Sequence, residues 1–261
     1  MDEKIKNTIN LSKKIRKDII YLSFLKKTAH LGSSLSCVDI ISYIYELIIN
    51  KKNNNKFILS KGHAASTIYS ALYRKKFISE KIFFSYCEVG SSLEEHPSPN
   101  IRGIECATGS LGHGFPFANG LALANKIRNK KEKTIVMISD GECNEGTTWE
   151  AAMFASAQNL KNLTLIIDYN KWQATGRSDK ILSLKPLDKK FQSFGWEVIS
   201  INGHNFNQIN RAFKKKNKKP KVIIANTVKG SGIKSIEDDN NWHYRSPNHE
   251  ELKYFLKELD K

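Results

Sequence analysis

The chain has 261 residues, 40% of them hydrophobic, with 42 Lys plus Arg against 26 Asp plus Glu and a formal net charge of +16. That length and apolar share suit one large α/β domain over residues 1–261, with a sizeable buried core, and argue against two domains. No apolar run approaches the roughly 20 residues of a membrane span, and MDEKIKNTIN lacks the apolar stretch of a secretory signal. Cys37, Cys87, Cys106 and Cys143 show no CxxC pair and no metal-ligand clustering, so they read as free thiols in a reducing, cytoplasmic setting. The positive charge raises nucleic-acid binding as a function. Its densest run, Lys214-Lys215-Lys216-Asn217-Lys218-Lys219, carries no interleaved aromatic residue and lies at an expected helix end before Pro220. Solvated lysine faces that attract sugar phosphates or an acidic partner are the simpler reading, with no nucleic acid and no membrane as partner.

In chain order, Ile5, Ile9, Ile15, Ile19, Ile20 and Leu22 mark a helix within residues 2–29. A second helix is expected from Cys37 to Ile49, with Ser36 as its cap. Residues 51–56 read as a loop and Phe57-Ile58-Leu59 as a short buried strand. Helices fit Ala64 to Tyr73, Ser79 to Tyr86 and Phe115 to Asn129, and the aperiodic stretch from Gly90 to Gly109 fits a long active-site loop. From residue 134 strands and helices alternate: strands at 134–139, 163–168, 197–201 and 221–226; helices at 149–158, 187–194, 206–215 and 249–259. Runs of Val and Ile without alternation suit strands buried on both faces. The fold class is therefore α/β, a doubly wound parallel sheet flanked by helices. Residues 171–186 and 229–247 are irregular and follow strand carboxyl ends, where such folds bind ligands.

The strand TIVMIS ends in Asp140-Gly141, and LTLIID ends in Tyr169-Asn170. If the two strands are parallel neighbours, their tips lie roughly 5 Å apart. A carboxylate and an amide oxygen can then face one spot that suits a hard divalent cation. Mg2+ takes few protein ligands and completes its octahedron with water and phosphate oxygens, so a diphosphate is expected beside it. Gly141 lets the backbone come close to that phosphate. The plainer alternative is a solvent-facing Asp-Gly turn and an Asn cap.

Six strings in order, LSKGHAASTIYSALY, ATGSLGHGFPFANGLALANK, DGECNEGTTWEA, DYNKWQATG, NGHN and ANTVKGSG, resemble the transketolase family of thiamine diphosphate enzymes. The length resembles a stand-alone N-terminal subunit of a split transketolase. The resemblance implies the diphosphate-binding domain of the thiamine diphosphate fold, with Mg2+ (or Ca2+ or Mn2+) held by Asp140, Asn170 and the backbone carbonyl of Trp172. It also implies that His63, Gly141, Glu142, Asn170 and His243 line the diphosphate, that Gly109 offers a carbonyl to the aminopyrimidine, and that Leu111 supports the bent cofactor. His30 and His96 match histidines that face the donor sugar, His243 matches one at the diphosphate and reacting centre, and His30 and His243 would handle protons on substrate oxygens. Glu145 and Glu150 match an acidic network across a subunit interface, or else simply complement a helix dipole.

Some features depart from the family or stay outside the site. Ser139 stands where relatives commonly have Gly, and His113 replaces a Gln found in some, which leaves its role open. Lys229-Gly230-Ser231-Gly232 lacks P-loop spacing and reads as a flexible loop leading to His243. Asn202 in NGHN reads as a turn. The implied reaction is transfer of a two-carbon ketol unit from a ketose phosphate to an aldose phosphate. The glutamate that activates the cofactor and the arginines that grip the sugar phosphate lie, in the family, on a pyrimidine-binding domain. That domain is expected on a C-terminal partner chain in an α2β2 assembly. Rival readings are 1-deoxyxylulose phosphate synthesis or 2-oxoacid decarboxylation by the same cofactor, and a non-catalytic interaction or nucleic-acid-binding protein on a degenerate fold.

Overall fold

The computed structural model describes residues 2–260. The helices, in chain order, are α1 (Glu3–Lys26), α2 (Leu31–Ser36), α3 (Val38–Leu47), α4 (Ala65–Arg74), α5 (Glu80–Phe84), α6 (Gly114–Ile127), α7 (Gly146–Ala157), α8 (Ser178–Ile181), α9 (Leu187–Ser193), α10 (Phe206–Lys214) and α11 (His249–Asp260). The strands are β1 (Lys56–Leu59), β2 (Thr134–Ser139), β3 (Leu163–Tyr169), β4 (Glu197–Asn202) and β5 (Lys221–Asn226). All five form one parallel sheet in the order β1-β2-β3-β5-β4.

The pleat explains why the strand sequences carry so few polar residues. Successive side chains point to opposite faces, and both faces are covered. Phe57, Leu59, Ile135, Met137, Ile166 and Ile223 join one core with α1, α3, α4, α10 and α11. Ile58, Val136, Ile138, Leu165, Ile167, Val222 and Ile224 join a second core with α6, α7 and α9. Each fully buried side chain of this kind contributes about 1.5–3 kcal/mol relative to exposure. These two apolar layers fix the sheet and so fix its carboxyl edge.

Local signals set most boundaries. Asp2 caps α1 by accepting from the Lys4 amide at 3.0 Å, and Ser79 caps α5 by accepting from the Ile82 amide at 3.3 Å. The expected helix over 37–49 is α3, with Cys37 in place of Ser36 as its N-cap. The six-residue α2 precedes α3, and its sequence LGSSLS is too short to show a period beyond the one pair Leu31 and Leu35. Tertiary packing makes it: all six residues are buried, and a Cβ at Gly32 would lie 3.1 Å from the Lys229 side chain. The basic run at 214–219 lies at a helix end, as expected: Lys214 is the last residue of α10, Lys215 is its C-cap, and the rest of the run follows.

The geometry of the carboxyl edge follows from register. Ser139 pairs with Asp168, and Asp168 pairs with Ala225. The tips of β2, β3 and β5 are therefore adjacent, and the segments leaving them meet.

Candidate active site at the sheet's carboxyl edge

Asp140 leaves the tip of β2 and is fully buried. Its carboxylate accepts from the Gly141 amide at 3.0 Å, the Lys171 amide at 2.9 Å and the Ser178 hydroxyl at 2.8 Å. Every one of these partners is neutral. Burial, with a smaller push from Asp168, raises its carboxyl to about 6. Asn170 is also buried, and its side-chain oxygen accepts from the Trp172 amide at 3.0 Å. The segment from Asn170 to Trp172 thus wraps around Asp140. The bonds that close the next turn use the Lys171 carbonyl and the Gln173 amide, so the Trp172 carbonyl is not spent on them. The Trp172 indole turns away to Asp238, 2.8 Å from Oδ1, under the Arg177 guanidinium.

Among the described residues no three His, Cys, Asp or Glu side chains are grouped to hold a metal. A cation here would rest on one carboxylate, one amide oxygen and a backbone carbonyl. Mg2+ accepts such a sparse oxygen set when water and phosphate complete it. The donor set and the uncompensated burial of Asp140 both fit that ion.

Two charged side chains that the motifs did not flag sit beside it. Asp168 and Lys61 form an ion pair with both side chains 0% exposed. Asp168 also accepts from Ser36 Oγ at 2.6 Å and Thr227 Oγ1 at 2.5 Å. Burial pushes its carboxyl up, but the Lys61 charge and these donors prevail and hold it below the usual range. Lys229 is buried as well, and its ammonium donates to Asn240 Oδ1 at 2.6 Å and His243 Nδ1 at 3.1 Å. Burial, then the Lys61 charge, brings Lys229 down to about 8. The readable signal for Lys61 was a lysine two residues after the apolar FIL strand. For Asp168 it was a second acid at a strand tip.

Four histidines converge next to these groups. The His30 ring lies 4.9 Å from that of His243, 5.5 Å from His63 and 6.2 Å from His96, and His63 lies 5.9 Å from His243. His30 sits at φ 67° before α2, with its amide donating to the His243 carbonyl at 2.9 Å. Burial and then the Lys229 charge push His243 down to about 3. Burial and then Lys61 push His63 well below the ordinary imidazole value, and burial also lowers His30 despite Glu95. All three rings are therefore neutral at pH 7. His30 Nδ1 lies 3.3 Å from Glu95 Oε1 but is not aligned for a hydrogen bond. His96 packs on Gly109: a Cβ there would lie 2.9 Å from the His96 ring, and Gly109 has φ 141°.

Glu142 needs a correction. Its carboxylate is fully buried and turned inward, accepting from Ser60 Oγ at 2.5 Å, the Gly112 amide at 3.0 Å and the Ser139 amide at 2.8 Å. Glu142 pins the segments after β1 and before α6 to the tip of β2, and its side chain has nothing left for a ligand. Leu111, half exposed, lies on the rim with Glu145 and Glu150. Neither glutamate has an ion-pair or hydrogen-bond partner among the described residues, so no acidic network closes within the chain. Phe117 at 40%, Met153 at 49% and Phe154 at 42% exposure lie on the neighbouring α6 and α7 surface.

The lysine charge gathers elsewhere. A cleft of about 1210 Å3 opens at the sheet's amino edge, lined by Lys4, Lys130, Lys131, Lys133, Lys161 and Lys216 among others. It holds none of the residues above. The chemistry rests on converging side chains at the carboxyl edge, not on the volume of this cleft.

Residues 8–259 match the family described as transketolase, thiamine diphosphate binding domain. The chain belongs to this family. It is 34% identical over 258 residues to an apulose-4-phosphate transketolase subunit of Phocaeicola vulgatus, covering 95% of this chain and 92% of that one. It is 35% identical over 243 residues to a 6-deoxy-6-sulfo-D-fructose transketolase subunit of a Clostridium species, covering 89% and 88%. Against the transketolase of Homo sapiens it is 33% identical over 250 residues, which are 92% of this chain but 39% of that one. The solved transketolase of Campylobacter jejuni superposes with a TM-score of 0.89 at 26% identity, covering 100% of this chain and 43% of that chain. Like these transferases it carries an α/β domain built on a parallel sheet.

Proposed function

We propose that this chain is the diphosphate- and metal-binding subunit of a two-chain transketolase. It moves a two-carbon ketol unit from a ketose to an aldose together with a C-terminal partner that supplies the pyrimidine-binding domain. The observation that carries this reading is Asp140, a buried carboxylate with only neutral donors, beside four converging histidines. The names of relatives that match over nearly their whole length support it, one a subunit of a sugar-phosphate transketolase and the other of a transketolase for a sulfonated sugar. They suggest a donor ketose carrying an anionic group. Residues 1–261 then form one domain that works in the cytoplasm, in a complex of α2β2 type.

Asp140, Asn170 Oδ1 and the Trp172 carbonyl would hold Mg2+, and the Gly141 backbone, His63 and the Lys229 side would face the diphosphate. When bound, thiamine diphosphate supplies the nucleophilic carbon that the side chains lack. The chain's own part is positioning and proton handling. The Lys229 ammonium donates to His243 Nδ1, so the ring proton sits on Nε2 and can be given to a substrate oxygen. With its proton on Nδ1, on the side of Glu95, the His30 ring would leave Nε2 to accept one. A donor and an acceptor ring 4.9 Å apart can serve a hydroxyl and a carbonyl of one sugar. His96 borders the same space.

The bare apolar surface of Phe117, Met153 and Phe154, with unpartnered Glu145 and Glu150 beside it, supports a partner there. Gly120 lies in the same helix with nothing within 4 Å of a Cβ position. Mid-helix glycine costs about 1 kcal/mol relative to Ala, and close approach of a second chain accounts for it.

The test uses the purified chain with thiamine diphosphate and Mg2+, with and without the product of a neighbouring C-terminal transketolase frame. Ketol transfer is expected only from the pair, and robust transfer by the chain alone would sink the two-chain reading. Calorimetric titration of Asp140→Ala is expected to show no metal-dependent cofactor binding. Unchanged binding would remove Asp140 from the metal site.

A further inference from the structure

We propose that His204 is a positioning residue: it straps down the loop from Thr227 to Gly232 and thereby seats Lys229 against His243. The NGHN turn that carries it has no part in the reaction described above. His204 follows β4, where its amide donates to Asn202 Oδ1 at 2.9 Å. Its ring reaches across to the segment after β5. Nε2 accepts the Val228 amide at 2.9 Å, one residue before Lys229. Nδ1 faces Asp39 Oδ2 at 2.8 Å and Ser231 Oγ at 3.3 Å.

These contacts define one tautomer. A backbone amide can only donate, so Nε2 carries no proton, and Nδ1–H donates to the Asp39 carboxylate. Asp39 is itself fixed. Both terminal guanidinium nitrogens of Arg16 donate to it, at 2.7 and 2.8 Å, and Arg16 Nε donates to the Ser231 carbonyl at 3.0 Å. Burial pushes the Asp39 carboxyl up, but Arg16 and His204 outweigh this and keep it ionised. The Arg16–Asp39–His204 triad thus ties α1, α3 and the turn after β4 to one short loop. A Cβ at Gly232 (φ 98°) would lie 2.5 Å from Arg16 Nε, which is why the chain passes there as glycine.

The other side of the same loop lies in the candidate site. Thr227 donates to Asp168, and Lys229 donates to Asn240 and His243. Lys229 is a long side chain held by its ends: the strap sets where its backbone starts, and His243 marks where its ammonium finishes. Without the Val228 bond the loop keeps the Arg16 contact at Ser231 and the Gly230 amide bond to the Gly32 carbonyl. The effect of losing His204 is therefore a displaced Lys229, not an unfolded loop.

Two substitutions separate the ring's two bonds. Asn at 204 can reach Asp39 but is too short for Val228, whereas Gln extends as far as Nε2. His204→Asn is expected to weaken thiamine diphosphate binding about tenfold, and His204→Gln to hold it within about threefold, the worth of one such hydrogen bond. If His204 acts through Lys229, His204→Asn combined with Lys229→Met loses no more affinity than Lys229→Met alone. Additive losses overturn the proposal. The affinity arm rests on the transketolase reading. Two measurements do not: the ring 15N spectrum of the parent, expected to show Nε2 unprotonated, and slow exchange of the Val228 amide. A protonated Nε2 or a fast-exchanging Val228 amide overturns the strap even if His204→Asn fails to fold. A parent that binds no thiamine diphosphate even with the C-terminal partner present defeats the proposed function, and the spectrum and exchange rate then decide the strap alone.

Discussion

The tips of β2 and β3 each bury an aspartate, and the two are handled in opposite ways. Asp168 is matched inside the chain by Lys61 and by the Ser36 and Thr227 hydroxyls. Asp140 receives two backbone amides and one hydroxyl and no cation. Burial acts on both, yet Asp168 is held below the usual carboxylate range while Asp140 rises to about 6. A complete charge pair is a scaffold, and an incomplete one next to it marks where something positive is to arrive. The tips of adjacent strands thus carry an acid paired inside the chain and an acid left without a cation, within one rung of register.

The largest way to break this contrast is at Asp168. Asp168→Asn strands the Lys61 ammonium in the interior, and losing one partner of a buried pair costs about 3–5 kcal/mol. Urea denaturation measures it, and a loss below about 1 kcal/mol would put Asp168 in the same class as Asp140. Next in size is the pH dependence of Asp140. Its folded value of about 6 exceeds the unfolded value of about 3.9, so the folded state binds the extra proton between them. Its stabilising effect is complete below pH 4 and is lost as pH rises through 6, amounting to about 3 kcal/mol across the window. Asp140→Asn removes this slope, and saturating Mg2+ flattens it in the parent. Denaturation curves of both proteins at pH 4 and pH 7 check it, and an identical difference at the two pH values would contradict it. The smallest effect is at Ser178, whose hydroxyl is one of Asp140's neutral donors. Ser178→Ala is expected to cost about 1 kcal/mol at pH 7 in the metal-free protein. A cost near that of Asp168→Asn would mean that Asp140 is as fully committed to the scaffold as its neighbour.

The sheet was legible in the sequence because strands buried on both faces leave an unbroken apolar run, as in TIVMIS and LTLIID. Asp140, Asn170 and the histidines were legible because each follows a strand tip or lies in a recognisable motif. What escaped has a common cause. The helix α2 carries only one pair at helical spacing, Leu31 and Leu35, and packs against Lys229 and Trp242. The family resemblance makes Glu142 a cofactor neighbour, yet the direction of its side chain is set by Ser60, 82 residues earlier. Lys61, Asp168 and His204 are ordinary letters in sequence and gain meaning only from partners far along the chain.

The open surface of α6 and α7 bears on how the molecule is made in a cell. Phe117, Met153 and Phe154 give a newly folded copy an adhesive side until it is covered. On the two-chain reading, soluble yield becomes a matter of stoichiometry. Copies in excess of the partner accumulate with that side bare, and a genetic arrangement that produces the two chains in equal numbers protects both.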